Sequence, residues 1–271
     1  MFVHPLPSEE QLRELYDDPE YFEGGYTLGV EEGSYFERGE ELVARYEGVV
    51  EELEAELGLE AADIFELGAA GGFWLEAARR RGHRVAGVEV SAVASRHARE
   101  ELGLEVHHGT LEGSGFAAEA FDLVVADNVL EHTAAPGEVL EGLRRLLRPG
   151  GHLLVVVPSY VNSVWYRAAG VIPRSFLGPG LAKLLKRDGG DGGPPYHLLE
   201  FDRQSLLPWL RSRGFEVLSV RASVPRPAQF FGPGARGARA SCGRALFRLL
   251  DRLMGWGLVP PARLRVVARR I

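Results

Sequence analysis

Short apolar runs alternate with amphipathic stretches over residues 61–157 of this chain. We predict five strands here, at Asp63–Leu67, Arg84–Glu89, Glu105–His108, Phe121–Asp127 and Gly151–Val157. We predict helices that begin near Gly72, Ala92, Gly113 and Pro136. Because strands that alternate with helices usually pair in parallel, the pattern predicts an α/β fold with helices on both faces of one sheet. A helix at Gln204–Arg213 and strands at Phe215–Val220 and Arg263–Arg269 extend this unit.

Three segments fall outside this alternation. Residues 8–58 show apolar positions at helical spacing, so we predict an N-terminal helical cap over residues 1–60. Residues 159–200 end in a glycine- and proline-rich tract and are too short to bury a core of their own. We therefore predict a lid insert within one domain that spans residues 61–271. Near its end, Gly243–Trp256 places leucines on one helical face and arginines on another.

Composition limits the class of protein. The chain has 271 residues, of which 45% are hydrophobic, so one α/β domain with additions is expected. Its one cysteine, Cys242, excludes an intrachain disulfide framework. No run reaches the roughly 18 apolar residues of a membrane span, and the N-terminus lacks the pattern of a signal peptide. These features predict a cytoplasmic protein.

Charge is distributed unevenly along the chain. Residues 1–60 hold 18 acidic and 3 basic side chains, whereas residues 203–271 hold 14 arginines and two acids. One interpretation is that the arginine-rich end makes weak contact with an anionic substrate or a membrane surface. The alternative, which we favour, is that the acidic N-terminal helices dock against the basic C-terminal part.

The strongest chemical signal lies at two strand ends. The first strand carries Glu66 and leads into a glycine-rich turn, Gly68-Ala69-Ala70-Gly71-Gly72, before a helix begins. The next strand ends in Glu89. A glycine-rich turn lets a ligand approach the backbone, and a carboxylate at the second strand end can accept both hydroxyls of a ribose. The pair predicts a nucleoside-binding site, which a nicotinamide-dependent oxidoreductase would also contain.

Motifs downstream separate these classes. In order along the chain they are Glu66–Gly72, Gly87–Ser91, Phe121–Val125 leading into Asp127–His132, Leu147–Gly151, and Pro194–Leu198 before Phe201. From about residue 60 onwards the chain resembles the class I S-adenosylmethionine-dependent methyltransferases, within them a bacterial small-molecule group. The resemblance implies a Rossmann-like sheet of seven strands, the last antiparallel, with S-adenosylmethionine across the carboxyl ends of the first strands.

The resemblance also implies roles for individual residues. Gly68, Ala70 and Gly72 would line the methionine part of the cofactor, with Glu66 facing its amino group and Glu89 binding the ribose. Around the adenine and the sulfonium we expect Val90, Thr110, Leu111, Asp127 and Asn128. Two positions depart from the family pattern. Ala70 replaces the middle glycine of the turn, and Thr110 stands where many members place an aspartate near the adenine.

The sulfonium is already activated, so alignment of the reacting groups supplies most of the rate, and a positioned base adds to it. Because imidazole titrates near neutrality, His132 and His197 are the candidate bases, with His132 slightly favoured. Each histidine could equally have a structural role. Asp127, Glu131 and His132 have side chains suited to a divalent cation, but acids beside a sulfonium need no metal, so we predict none.

We therefore predict methylation of a small molecule, most simply at a hydroxyl. The chain lacks the Asn/Asp-Pro-Pro-Tyr tetrad of amino-directed DNA methyltransferases, and no basic stripe interleaved with aromatics suggests a nucleic-acid groove. Two alternatives stay open. The chain could bind the cofactor without catalysis or, less readily, could be a nicotinamide-dependent oxidoreductase.

Overall fold

A computed structural model describes residues 35–159, 197–223 and 263–271, together with a few isolated positions of the N-terminal and C-terminal segments. The isolated positions are Gln11, Glu14, Tyr16, Asp17, Phe22, Ala245, Arg248, Leu249, Arg252 and Leu253. Most of the predicted lid and most of the predicted helix at Gly243–Trp256 therefore lie outside the described residues.

Five helices and seven strands form the described part of the fold. The helices are α1 (Gly39–Leu57), α2 (Phe73–Arg80), α3 (Ala92–Glu100), α4 (Pro136–Leu146) and α5 (Arg203–Ser212). The strands are β1 (Asp63–Leu67), β2 (Arg84–Glu89), β3 (Glu105–His108), β4 (Phe121–Asp127), β5 (Leu147–Pro158), β6 (Phe215–Ser223) and β7 (Arg263–Arg270).

All seven strands join one sheet in the order β3-β2-β1-β4-β5-β7-β6. The first five strands are parallel, and β7 lies antiparallel to both β5 and β6. The predicted seven-stranded sheet with an antiparallel last strand is confirmed. Strand order reverses between β1 and β4, and in open α/β sheets ligands bind at such a switch point, outside the carboxyl ends of the strands.

Helices cover both faces of the sheet, because the central parallel strands are apolar on both sides. On one face, α1, α2 and α3 pack through residues such as Leu53, Leu75 and Ala98. On the other face, α4 and α5 pack through Leu143 and Leu210. The sheet is thus the middle of three layers, and its carboxyl edge faces the loops that carry the candidate site.

One predicted helix is wrong. Residues 111–114 form a turn rather than the helix expected near Gly113, closed by the bond from the Ser114 N–H to the Leu111 carbonyl oxygen at 3.2 Å. Gly115 adopts a φ of 73°, which interrupts any helical continuation. Phe116 then packs edge-on against Phe65. The fifth strand also starts earlier than predicted, at Leu147.

The acidic helix α1 docks on the basic end of the sheet, as the favoured interpretation of the charge pattern expected. The Glu56 carboxylate accepts hydrogen bonds from the Ser219 hydroxyl, from Arg221 at 3.0 Å and from Arg265 at 3.3 Å. Arg221 also donates to Glu52 at 2.8 Å. Arginines of β6 and β7 therefore neutralise acids of α1 within the molecule.

Among the described residues, no helix combines the length and the apolar character needed to cross a bilayer.

Replacing Glu56 with Gln tests the docking of α1. We expect Glu56→Gln to lower the free energy of unfolding by about 1–3 kcal/mol, because two arginines lose their charged acceptor. The loss should shrink in concentrated salt, which screens the wild-type interaction. Urea unfolding at low and high salt measures both effects. The control is Glu51→Gln, an exposed acid on the same helix; an equal loss in both variants would contradict the docking role of Glu56.

Candidate cofactor and acceptor site

The turn between β1 and α2 is held against the end of β2. The N–H groups of Gly68 and Ala69 both donate to the Val88 carbonyl oxygen, each at 2.9 Å. Gly68 and Gly72 have φ angles of 70° and 86°, the left-handed region that favours glycine. A Cβ at Gly68 would lie 2.6 Å from a methyl of Val129, which follows β4. The glycines are thus required by the protein's own packing around the turn.

Ala70 adopts a φ of 47°, an uncommon conformation for a residue with a Cβ. Its N–H donates to a carboxylate oxygen of Glu89 at 2.7 Å. A glycine at this position would adopt this angle without strain. The bond to Glu89 compensates part of that cost and fixes the direction of the turn.

Glu89 connects three elements of the site. Its other carboxylate oxygen accepts from the Ser91 N–H at 2.8 Å, just before α3 begins. Burial raises the pKa of Glu89, whereas the bonds from the Ser91 and Ala70 N–H groups oppose this effect. A carboxylate has about four acceptor positions. Glu89 therefore has capacity left for the ribose hydroxyls expected there.

A second group of acids lies at the ends of β1 and β4. Glu66 is 5% exposed, and one of its carboxylate oxygens has no hydrogen-bond partner among the described residues. Burial raises the pKa of Glu66 well above its ordinary value, and the carboxylates of Asp127 and Glu89 raise it further. Such a buried, unsatisfied carboxylate suits a cationic ligand group, such as an amine.

Asp127 is held by neighbours that the sequence did not indicate. Arg263 of β7 donates to one Asp127 oxygen at 2.6 Å, and the Asn128 amide donates to the same oxygen at 2.7 Å. Asn128 adopts a φ of 57°, which turns the chain sharply at the end of β4. Arg263 partly neutralises Asp127, so Glu66 is the less compensated of the two acids.

Tyr46 of α1 lies beside the same acids. Burial raises the pKa of Tyr46 above its ordinary value, and the negative charge of Asp127 adds to the rise. No pattern in the sequence marked Tyr46 as a residue of the site. Its position within an amphipathic helix gave no signal, because only the packing of α1 on α2 brings it to the strand ends.

The residues expected around the adenine follow β2 and β3. Val90 is half-buried, and its carbonyl oxygen lies 3.1 Å from His108 Nε2, which ties the two strand ends together. Thr110 is half-buried. The Leu111 side chain belongs to the core beneath α4, where a Cβ at Gly142 would lie 2.7 Å from it. Only the backbone of Leu111 is therefore available to a ligand.

The two candidate bases lie together, although 65 positions separate them in the sequence. The rings of His132 and His197 meet edge-on with centroids 4.9 Å apart. His132 belongs to a short 3₁₀ turn at Leu130–His132 that follows β4. The N–H groups of Leu198 and Leu199 donate to the Glu131 carbonyl oxygen at 2.8 and 3.1 Å, which fixes His197 beside this turn.

Glu131 is fully buried beside the two histidines, with a carboxylate oxygen 3.8 Å from His132 Nε2. One donor atom from each of Glu131, His132 and His197 lies within 4.8 Å of the others, a spacing compatible with a metal ion. The same groups also suit proton transfer. Asp127, the third residue of the cation set considered from the sequence, is instead bonded to Arg263. The expectation of no metal stays a prediction.

Two N-terminal residues reach this site. The Tyr16 hydroxyl lies 2.8 Å from His132 Nδ1, and Asp17 accepts the Ala92 N–H at 2.7 Å at the start of α3. His97 of α3 also supports the glycine-rich turn, since its Nδ1 lies 2.9 Å from the Gly71 carbonyl oxygen. Sequence patterns assigned no particular partner to these three side chains, because each acts across a large sequence separation.

Replacing Glu66 tests the buried acid. A carboxyl group whose pKa is raised on folding contributes stability at low pH that is lost as the pH rises through the folded-state value. We therefore expect Glu66→Gln to exceed wild type in free energy of unfolding at about pH 8, by about 1–3 kcal/mol, and by less at about pH 5. Urea unfolding at both pH values measures this difference. Glu112→Gln, which replaces an exposed acid, is the control. If the difference in unfolding free energy between Glu66→Gln and wild type is the same at both pH values, the raised pKa is contradicted.

Comparisons with known proteins agree with this architecture. Residues 65–155 match a family described as "Methyltransferase domain". A ubiquinone biosynthesis O-methyltransferase of Cereibacter sphaeroides is 33% identical over 108 residues, which are 38% of this chain and 44% of that protein. The corresponding protein of Alkalilimnicola ehrlichii is 35% identical over 103 residues, 36% of this chain and 42% of its own length. The match thus spans less than half of the curated relatives.

A solved structure extends the similarity along the whole chain. The 1,6-didemethyltoxoflavin-N1-methyltransferase of Burkholderia thailandensis superposes with a TM-score of 0.56 at 17% identity, covering 99% of this chain and 92% of that one. At this identity the likeness concerns the fold. Together with the sheet order, it shows that the described part of the chain has the fold of the class I S-adenosylmethionine-dependent methyltransferases, within which residues 65–155 match the methyltransferase-domain family.

Proposed function

We propose that this protein transfers a methyl group from S-adenosylmethionine to a hydroxyl of a small molecule. The observation that carries the proposal is the position of Glu66, Glu89 and His132 at one edge of the sheet. Two buried carboxylates lie in the last residues of the first two strands, and an imidazole follows the fourth. These are the groups needed to bind a cationic nucleoside and to accept a proton next to it.

The turn and the acids fit the cofactor in separate ways. Glu89 has acceptor capacity for the ribose, and the unsatisfied oxygen of Glu66 is suited to the amino group of the methionine part. Gly68, Ala70 and Gly72 would line that part, with Asp127 and Asn128 beyond it. Val90, Thr110 and the Leu111 backbone would surround the adenine. When bound, the cofactor supplies an activated methyl group on a sulfonium.

His132 and His197 are the bases that we propose for the acceptor hydroxyl. A base that takes the proton as the methyl is transferred makes the oxygen a better nucleophile. Their edge-on contact places both imidazoles within one small volume at the end of β4. Glu131 lies close enough to stabilise a protonated His132.

The curated relatives favour oxygen as the methylated atom, since those of Cereibacter sphaeroides and Alkalilimnicola ehrlichii are O-methyltransferases by name. A protein that binds the cofactor without catalysis would keep the Glu89 and Glu66 sites but would not need two histidines beside a buried acid. A nicotinamide-dependent oxidoreductase would share only the glycine-rich turn and Glu89.

Other expectations belong to the same proposal. We propose a cap over residues 1–60 and a lid over about 159–200 that select the acceptor, around a methyltransferase domain at 61–271. We propose a cytoplasmic protein without a nucleic-acid partner. Weak contact of the arginine-rich helix with a membrane surface is a secondary proposal; Arg248 and Leu249 of that helix are exposed.

A thermal melt in the presence of candidate cofactors tests which cofactor the protein binds. A ligand at about 100 times its dissociation constant adds about 2.7 kcal/mol to the free energy of unfolding, which raises the melting temperature by several degrees. We expect this shift with S-adenosylmethionine and S-adenosylhomocysteine and none with NAD. The matched variant Glu89→Gln should lose most of the shift. A shift with NAD alone would contradict the proposal.

Replacing the histidines tests the base. An acceptor is first identified by the transfer of radiolabelled methyl groups to a panel of small alcohols and phenols. We then expect the double variant His132→Gln/His197→Gln to lower kcat by about 10²–10⁴-fold. The double variant should keep the increase in melting temperature that S-adenosylhomocysteine causes in the wild type. His152→Gln, a replacement within β5 and away from the strand ends that carry the site, is the control. Unchanged turnover in the double variant would exclude both histidines as the base.

A further inference from the structure

Tyr16 contacts His132, one of the two histidines proposed as the base. Its hydroxyl oxygen lies 2.8 Å from His132 Nδ1, and the two rings meet edge-on with centroids 5.9 Å apart. We propose that Tyr16 is a further catalytic residue that passes the proton of the acceptor hydroxyl to His132. This inference rests on the proposed function, and it adds a residue from the N-terminal segment to the reaction.

The surroundings of His132 favour one tautomer. A neutral imidazole has one nitrogen that donates and one that accepts a hydrogen bond. The Glu131 carboxylate lies 3.8 Å from Nε2, and an ionised carboxylate stabilises a proton on the nitrogen that faces it. Nδ1 is then the acceptor, and the Tyr16 hydroxyl donates to it. Hydroxyl, imidazole and buried carboxylate thus follow one another as in other proton-transfer sites that use a histidine.

The N-terminal segment spans the two halves of the site. Asp17 accepts the Ala92 N–H at the start of α3, next to the Ser91 that donates to Glu89. Tyr16, the preceding residue, reaches His132 beyond the end of β4. Since β1 lies between β2 and β4, the segment crosses the strand ends where the methyl group would be transferred. With a cofactor bound across these strand ends, the Tyr16 hydroxyl would lie between it and the imidazole.

A tyrosine hydroxyl can donate one hydrogen bond and accept others at the same time. With its proton directed to Nδ1, the Tyr16 oxygen can accept the hydroxyl proton of the methyl acceptor. As the acceptor oxygen forms its bond to the methyl carbon, the carbon–sulfur bond breaks and its electron pair stays on sulfur. The acceptor proton moves to Tyr16, and the Tyr16 proton moves to His132. The positive charge of the sulfonium thus ends on the imidazolium, beside Glu131.

The first test requires no acceptor. In the full chain with ¹⁵N-labelled histidine, we expect the His132 signals to show a proton on Nε2 and none on Nδ1. Tyr16→Phe should shift the Nδ1 signal, because it removes the donor, while the signals of the buried His83 stay in place. His132→Gln assigns the signals. A proton on Nδ1 in the wild type, or an unchanged His132 in Tyr16→Phe, would overturn the relay.

The second test follows the reaction with catechol, or with the acceptor that the panel identifies. We expect Tyr16→Phe to lower kcat by about 10²-fold or more with little change in KM, because the variant lacks the relaying hydroxyl. Tyr35→Phe is the matched control, since its ring packs against Phe22 and Phe73 rather than His132. Turnover of Tyr16→Phe within about twofold of wild type would overturn the relay.

The two proposals fail in different ways. A wild-type protein that shows no melting shift with S-adenosylhomocysteine would contradict the proposed function, whatever Tyr16 does. A wild type that binds S-adenosylhomocysteine and methylates its acceptor, together with an equally active Tyr16→Phe, would leave the function standing and remove the relay alone.

Discussion

The candidate site depends on the Glu89 carboxylate and on the hydrogen bonds that it accepts from the backbone N–H groups of Ala70 and Ser91. One bond fixes the turn after β1 through Ala70, and the other fixes the start of α3 through Ser91. Since the carboxylate is buried, breaking either bond would leave a costly unsatisfied charge. The strain of Ala70 at positive φ is therefore tolerated. The residue expected to bind the ribose thus also fixes the protein backbone at the candidate site.

The acids at the carboxyl edge of the sheet differ in whether a basic side chain pairs with them. Arg263 neutralises Asp127, while Glu66 keeps a buried oxygen without a hydrogen-bond partner among the described residues. The antiparallel β7 makes this division possible, because it brings the last arginines of the chain beside β5 and the ends of the parallel strands. A cationic ligand at this edge would find an electrostatic partner in Glu66 rather than in Asp127.

The N-terminal part completes the site in two places. Tyr46 of α1 lies beside the acids at the strand ends, whereas Tyr16 and Asp17 contact His132 and the start of α3. Helix α1 is itself held to β6 and β7 through Glu56 and its arginine partners. Within the described residues, acids of α1 and arginines of β6 and β7 thus form one electrostatic interface.

The sequence by itself determined the parallel α/β core, because strands and helices of this length are encoded by local apolar periodicity. It also indicated the turn at Gly68–Gly72, the acid at Glu89 and the two histidines, since each belongs to a short local motif. It erred near Gly113, where glycine conformations override the helical pattern. Only the tertiary structure decided that Arg263 pairs with Asp127, that His197 meets His132 and that Tyr16 reaches His132. These contacts join residues 65 to 136 positions apart, and the packing of the folded chain, rather than any local pattern, brings them together.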